Sequence, residues 1–214
     1  SHLGFTLAEV LVTLGIIGVV SAMTVPSLIQ NYQRQSYVTQ LHKVYNELSQ
    51  AAVRYMNDKN ALNMKEAGIN SQTAMDEFIK SNFNIINDCG SDHTPCFAES
   101  YGKINGTSKF KTTLVSSVTI ASGASFSYSY SQEGTKVATI DVDINGQKGP
   151  NIAGRDLFVI SIFNNGFIDD YGVSAAPADK DERETIFNNN CNSSGGSWYG
   201  CFGKILNDNW QMTY

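Results

Sequence analysis

Val10 to Ile29 reads VLVTLGIIGVVSAMTVPSLI, twenty residues without a charge. Coiled as an α-helix at about 1.5 Å per residue, such a run covers roughly 30 Å, the thickness of a bilayer's hydrocarbon. Beyond Asn31 the chain turns polar, yet Val38, Leu41, Tyr45, Leu48, Ala52 and Tyr55 recur at steps of three and four, the spacing of one helix face. The pattern predicts one long helix, apolar all round in its first half and amphipathic in its second. Such a helix fits two successive environments, a membrane or filament core and then a folded head. The apolar stretch of a secretory signal is shorter, about 7–15 residues, and unrelated sequence follows it, whereas here the helical pattern goes on. A buried core helix, or a plain membrane anchor with a helical stalk, remains as the alternative at this level.

After a connection over Asn57–Asn70, SQTAMDEFIKSNFNII predicts a shorter amphipathic helix with Ala74, Phe78, Ile79 and Phe83 inward. From Thr112 the texture becomes β-branched and aromatic. LVSSVTIA, ASFSYSYS, KVATIDVDI and DLFVISIF are separated by Gly, Asn and Asp, which predicts an antiparallel sheet of about four strands. In ASFSYSYS the alternation puts Phe126, Tyr128 and Tyr130 on one face and the serines on the other, as in a strand with one buried side. The expected class is α+β, with the amphipathic half of the long helix packed on the sheet. The expected organisation is a short N-terminal segment at 1–4, an apolar helix of membrane-spanning length at 5–30, and the amphipathic half plus a globular head at 31–214.

Composition narrows the function classes. Of 214 residues 42% are hydrophobic and 16% charged, which suits one globular domain plus a more apolar segment. The formal charge of -5 comes with no block of Lys and Arg, so the electrostatic footprint of nucleic-acid binding is missing. No phosphate loop, GxSxG or HExxH occurs, and only three histidines are present, which disfavours an enzyme although carboxylate pairs need no motif. Four cysteines at close spacing favour disulfides in an oxidising compartment. They allow three connectivities, of which the local pairs Cys89–Cys96 and Cys191–Cys201 are the default.

Glu9 is the residue that departs from a plain anchor. On insertion scales an acidic side chain near the centre of a membrane helix costs about 2.5–3.5 kcal/mol, so an acid there asks for a partner. Phe5 lies four residues earlier on the same helical face. Cleavage between Gly4 and Phe5 would create an α-ammonium within a turn of Glu9, able to pair with it or with the Glu9 of a neighbouring subunit.

Gly4-Phe5-Thr6-Leu7-Ala8-Glu9 followed by the apolar run resembles the processing signal of type IV pilins and type II secretion pseudopilins. The resemblance covers residues 4 to about 60 and weakens over the head. It implies cleavage after Gly4 by a prepilin peptidase, methylation of Phe5, and assembly directed by Glu9. Pro26 matches the family's proline near the end of the apolar stretch, where a missing donor and a steric clash weaken the helix. Implied partners are a homo- or hetero-oligomeric filament of pilin-like subunits, the peptidase, an inner-membrane assembly platform, and the lipid bilayer before assembly. The implied location is a bacterial inner membrane with a periplasmic or extracellular head, and later a periplasmic or cell-surface filament. The family's basic leader is not matched by Ser1-His2-Leu3, so topology comes from the resemblance and not from charge. A minor tip subunit whose head binds a surface, an exported protein or DNA is the alternative function.

Asp141-Val142-Asp143-Ile144-Asn145-Gly146 carries a tight-turn signal in Asn145-Gly146. Asp141, Asp143 and Asn145 could instead offer oxygen ligands to calcium, although the spacing lacks the glycine and distal glutamate of an EF-hand; no other cofactor is expected. Cys89, Asp92, His93 and Cys96 could be drawn as a zinc site, but an exported thiol pair oxidises more readily than it collects metal. The Cys191–Cys201 region is similar to the disulfide-bounded C-terminal region of type IV pilins. Within it, Trp198 and Tyr199 either form a contact patch or pack back on the sheet.

Overall fold

The computed structural model describes Gly4 and residues 6–106, 109–193 and 196–214. The chain divides into two compact units, Ser1–Ser36 and Tyr37–Tyr214. Among the described residues, helix α1 (Leu7–Asp58) supplies the one regular element of the first and the first element of the second. Within the first unit Pro26 sits inside the helix, which continues despite the backbone donor it removes.

In the second unit α1 buries Val38, Leu41, Val44, Leu48, Ala51 and Ala52. Tyr45 and Tyr55, expected on this stripe, lie at its margins and are partly buried, Tyr45 against Trp210 and Tyr55 edge-on to Phe78. Residues 59–70 are anchored where the N–H groups of Met64 and Lys65 donate to the backbone and side-chain oxygens of Asn164. Helix α2 (Gln72–Asn82) begins at Ser71, whose hydroxyl accepts from the Ala74 N–H at 3.2 Å, a side-chain N-cap. Its buried face is Met75, Phe78 and Ile79. Ala74 is only partly buried, and Phe83 lies just past the helix with its ring edge-on to Phe126.

The main sheet has six strands, not about four. β1 (Ile85–Gly90) comes first, and a small two-stranded ribbon of β2 (Tyr101–Gly102) and β3 (Lys109–Phe110) follows it. The four strands predicted from sequence are β4 (Ser116–Ile120), β5 (Ser125–Glu133), β6 (Lys136–Asp143) and β7 (Leu157–Phe163), and β8 (Ile168–Asp170) completes the set. All pairings are antiparallel in the order β1-β4-β5-β6-β7-β8. The two additional strands are edges with weak signals: β1 alternates poorly and pairs with register shifts, and β8 is three residues, two of them acids.

The sheet has one apolar and one polar face, and both are covered. Register places Phe126, Val142 and Phe158 in one cross-strand row and Tyr128, Ile140 and Ile160 in the next, and all six join the α1 stripe in the main core. The opposite rows carry Ser127, Asp141 and Val159, then Ser125, Asp143 and Leu157. Every residue of β6 and β7 is buried, and Ser125 and Ser127 are fully buried instead of facing water as a one-sided strand requires. The segment between β1 and β4 accounts for the difference. Tied by the Cys89–Cys96 disulfide, it packs Phe97 and Tyr101 against Leu157 in a second apolar cluster on the polar face.

β6 and β7 are not joined by the tight turn that Asn145-Gly146 predicts. Residues 144–156 make a longer excursion whose ends close where Asp143 pairs with Leu157. The chain then ends in α3 (Lys180–Ile186), a single π-helical turn at Phe187–Cys191, and α4 (Cys201–Asn207).

Candidate functional site

The N-terminal unit presents an apolar surface with one carboxylate at its start. Leu11, Leu14, Ile16 and Ile17 are each 59–61% exposed, so apolar side chains stand open on every side of this stretch of the helix. By length and composition α1 is able to cross a membrane, and none of its most apolar window is buried. Glu9 meets Thr6 in a reciprocal arrangement. The Thr6 N–H and hydroxyl both donate to Glu9 Oε2 at 2.8 Å, while the Glu9 N–H donates to Thr6 Oγ1 at 3.3 Å. With α1 starting at Leu7, this is a capping box: two orphan donors at the helix start are satisfied, and the carboxylate sits at the positive end of the helix dipole. Thr6-x-x-Glu9 ahead of an apolar run is the sequence signal for it, legible in hydrogen-bonding residue types and not in charge. Further along, Thr13 and Thr24 turn their hydroxyls back to the carbonyls of Glu9 and Val20 at 2.9 Å, which hides two polar groups from an apolar surrounding. Gly4 is exposed with no atom near its Cα hydrogens, and Phe5 lies outside the described residues.

A family model for the prokaryotic N-terminal methylation motif matches residues 1–25. The chain carries the type IV pilin and pseudopilin signature. No curated protein and no solved structure matches the chain. The signature together with the exposed apolar helix fits a membrane-anchored pilin that enters a pilin-like filament, and a structural subunit more than an enzyme.

In the second unit both local disulfides form, Cys89 with Cys96 and Cys191 with Cys201. With both sulfurs of the drawn zinc site bridged, His93 turns its Nδ1 to Ser117 Oγ at 2.6 Å. Asp141 and Asp143 stand on the polar face of the sheet. Asp143 accepts from the Tyr101 hydroxyl at 2.5 Å and from the Asn145 N–H at 3.0 Å, and Asp141 accepts from the Thr112 hydroxyl at 2.6 Å. Burial pushes Asp143 up to about 8, with the Tyr101 and backbone donors pulling against it, and pushes Asp141 up to about 6. Among the described residues no group of three or more His, Cys, Asp or Glu side chains is placed to hold a metal.

Sequence reading missed the acids that organise the C-terminal third. Arg183 makes a two-pronged contact with Asp169, Nε to Oδ1 at 2.9 Å and Nη2 to Oδ2 at 2.6 Å. Next to it, buried Asp170 accepts the N–H groups of Gly172, Gly200 and Gly203, tying β8 to the disulfide loop and α4. Asp156 likewise accepts from the N–H groups of Asn151 and Ile152 at 2.7 Å and so shapes the 144–156 excursion. That excursion reaches the second disulfide. A Cβ on Gly154, whose φ is +85°, would lie 2.5 Å from Cys201 Sγ. Arg155 donates to the Tyr214 carbonyl at 2.7 Å. The available signal was acids set inside β-branched runs, as in Phe167-Ile168-Asp169-Asp170, where a buried charge needs dedicated donors.

Proposed function

We propose that this chain is a structural subunit of a type IV pilus or a type II secretion-type filament. In this reading a prepilin peptidase cuts after Gly4, Phe5 becomes a methylated N-terminus, and the apolar half of α1 moves from the inner membrane into the filament core. The observation that carries the proposal is a single carboxylate, Glu9, at the head of an uncharged exposed helix that matches the methylation motif. Before assembly the Thr6 donors hold that carboxylate. During assembly the Phe5 ammonium of the same or an adjacent subunit takes it over, which fixes the axial register between neighbouring helices. Pro26 provides a point at which the helix loosens on packing.

Mass spectrometry of the native N-terminus tests the first step, with a methylated Phe5 as the expected result. Replacing Gly4 should leave the subunit uncleaved, and Glu9→Ala should give a processed subunit that enters filaments poorly. Material still extended upstream of Phe5 that polymerises normally would overturn the mechanism. A minor tip subunit with a binding head is the second reading, favoured by Trp198, which leaves 39% of its surface open on the head. Sheared filaments separate the two, because a major subunit dominates such preparations and a tip subunit is rare in them.

A further inference from the structure

On the polar face of the head's sheet, the cover formed by the β1–β4 segment stops short of the β7–β8 side. A cleft of about 370 Å³ opens there, with Ser129, Thr139 and Asp141 on its floor. Tyr171 and Trp198 line its rim and Lys111 its wall. Asp141 is only 4% exposed, and one of its oxygens is taken by Thr112. Its other oxygen accepts no hydrogen bond from the described residues. A buried carboxylate with one oxygen unused, beside the Thr139 hydroxyl and a Ser129 hydroxyl that accepts from the Val115 N–H and keeps its own proton to donate, offers the polar contacts of a ligand site in an open cleft.

From this arrangement we infer that the cleft binds a neutral saccharide unit, a function separate from filament assembly. Charge narrows the ligand. An anion would be driven onto the Asp141 carboxylate. A cation would face Lys111, and the aromatic surface it would seek on Tyr171 is already held by Lys136 Nζ, 4.7 Å from the ring centre. An added peptide strand needs free backbone groups along an edge, whereas β6 is paired on both sides and, where β5 runs past the end of β4, the Tyr130 N–H already donates to Gln72 Oε1 at 2.8 Å. A wholly apolar ligand would leave the floor hydroxyls and carboxylate without partners.

A pyranose ring meets all four conditions. Its hydroxyls donate to Asp141 and exchange hydrogen bonds with Ser129 and Thr139, and its C–H face lies on an aromatic plane. Trp198 offers that plane ready oriented. Phe110 stacks on it at 5.6 Å and 28°, and the Tyr199 ring abuts it edge-on at 6.2 Å. Tyr199 is itself edge-on to Tyr171 at 5.0 Å, so the two rim aromatics belong to one locked cluster and little side-chain freedom is lost on binding.

The test uses the full chain in a zwitterionic detergent without a sugar headgroup, with saturation-transfer NMR as the readout. The probes are cellobiose, lactose and N,N′-diacetylchitobiose, with tetramethylammonium and butyrate as charged probes. At least one disaccharide should receive saturation, and Trp198→Ala should weaken its binding at least tenfold while the head still unfolds in one cooperative transition. Asp141→Asn should weaken it as well, and the rim variant keeps the test decisive if that buried replacement unfolds the head. No transfer to any of the three disaccharides, binding that Trp198→Ala leaves unchanged, or transfer to the charged probes alone would each overturn the inference.

Discussion

Leu7 to Ile29 leaves apolar side chains open on every side, whereas strands β6 and β7 of the head leave no side chain open at all. Both segments are rich in Val, Ile and Leu, so hydrophobicity alone does not separate them. The difference lies in what covers them. The strands are covered by the chain's own α1 stripe on one face and by a disulfide-tied segment on the other. The apolar side chains of the N-terminal helix stay open, and at about 25 cal/mol per Å² of apolar surface their burial in a bilayer or among neighbouring helices would be strongly favourable. The head is thus stabilised internally, down to its buried acids, and the N-terminal helix by its surroundings.

The sharpest way to break this contrast is to remove an internal partner in the head. Arg183→Ala strands the Asp169 carboxylate, which is 1% exposed, and should destabilise the head by about 3–5 kcal/mol in denaturant unfolding. An unchanged midpoint would mean that the ion pair is dispensable. Replacing Cys191 and Cys201 together by Ser should lower stability by about 2–5 kcal/mol, read as a drop in Tm against the parent chain with both disulfides intact.

The buried acids predict a pH dependence of definite sign. Asp143 has a folded-state pKa near 8 against an ordinary value near 4, so the folded head binds the extra proton between those limits. The stability it contributes is present at low pH and is lost as pH rises from about 4 to about 8. Asp143→Asn should flatten that decline, and a steeper decline in the variant would refute the assignment. The smallest effect belongs to the other region. Thr6→Ala opens the capping box and should cost about 1 kcal/mol, seen as faster hydrogen exchange in the first turn of α1 with the head's unfolding midpoint unmoved. Ile17→Ala should likewise leave that midpoint unmoved, because its side chain is 60% exposed.

Local pattern carried much of the fold. The α1 stripe was legible from its steps of three and four, and β4 to β7 were legible because β-branched and aromatic residues run between turn formers. β1 and β8 were not, since edge strands of mixed polarity owe their conformation to the strand they pair with. The serines of β5 misled in the opposite direction. Alternation reports which face is apolar, and it does not report whether a distant segment will cover the other one.

The sequence by itself determined the helix, its uncharged length, the acid at its start and the motif around it, because each depends on residues within a few turns of one another. Only the tertiary structure decided the fate of the remaining acids. Asp141, Asp143, Asp156, Asp169 and Asp170 are ordinary surface residues until folding surrounds them with Thr112, Tyr101, Arg183 and backbone donors up to forty-two positions away. Burial makes such donors obligatory, and long-range packing decides which ones arrive.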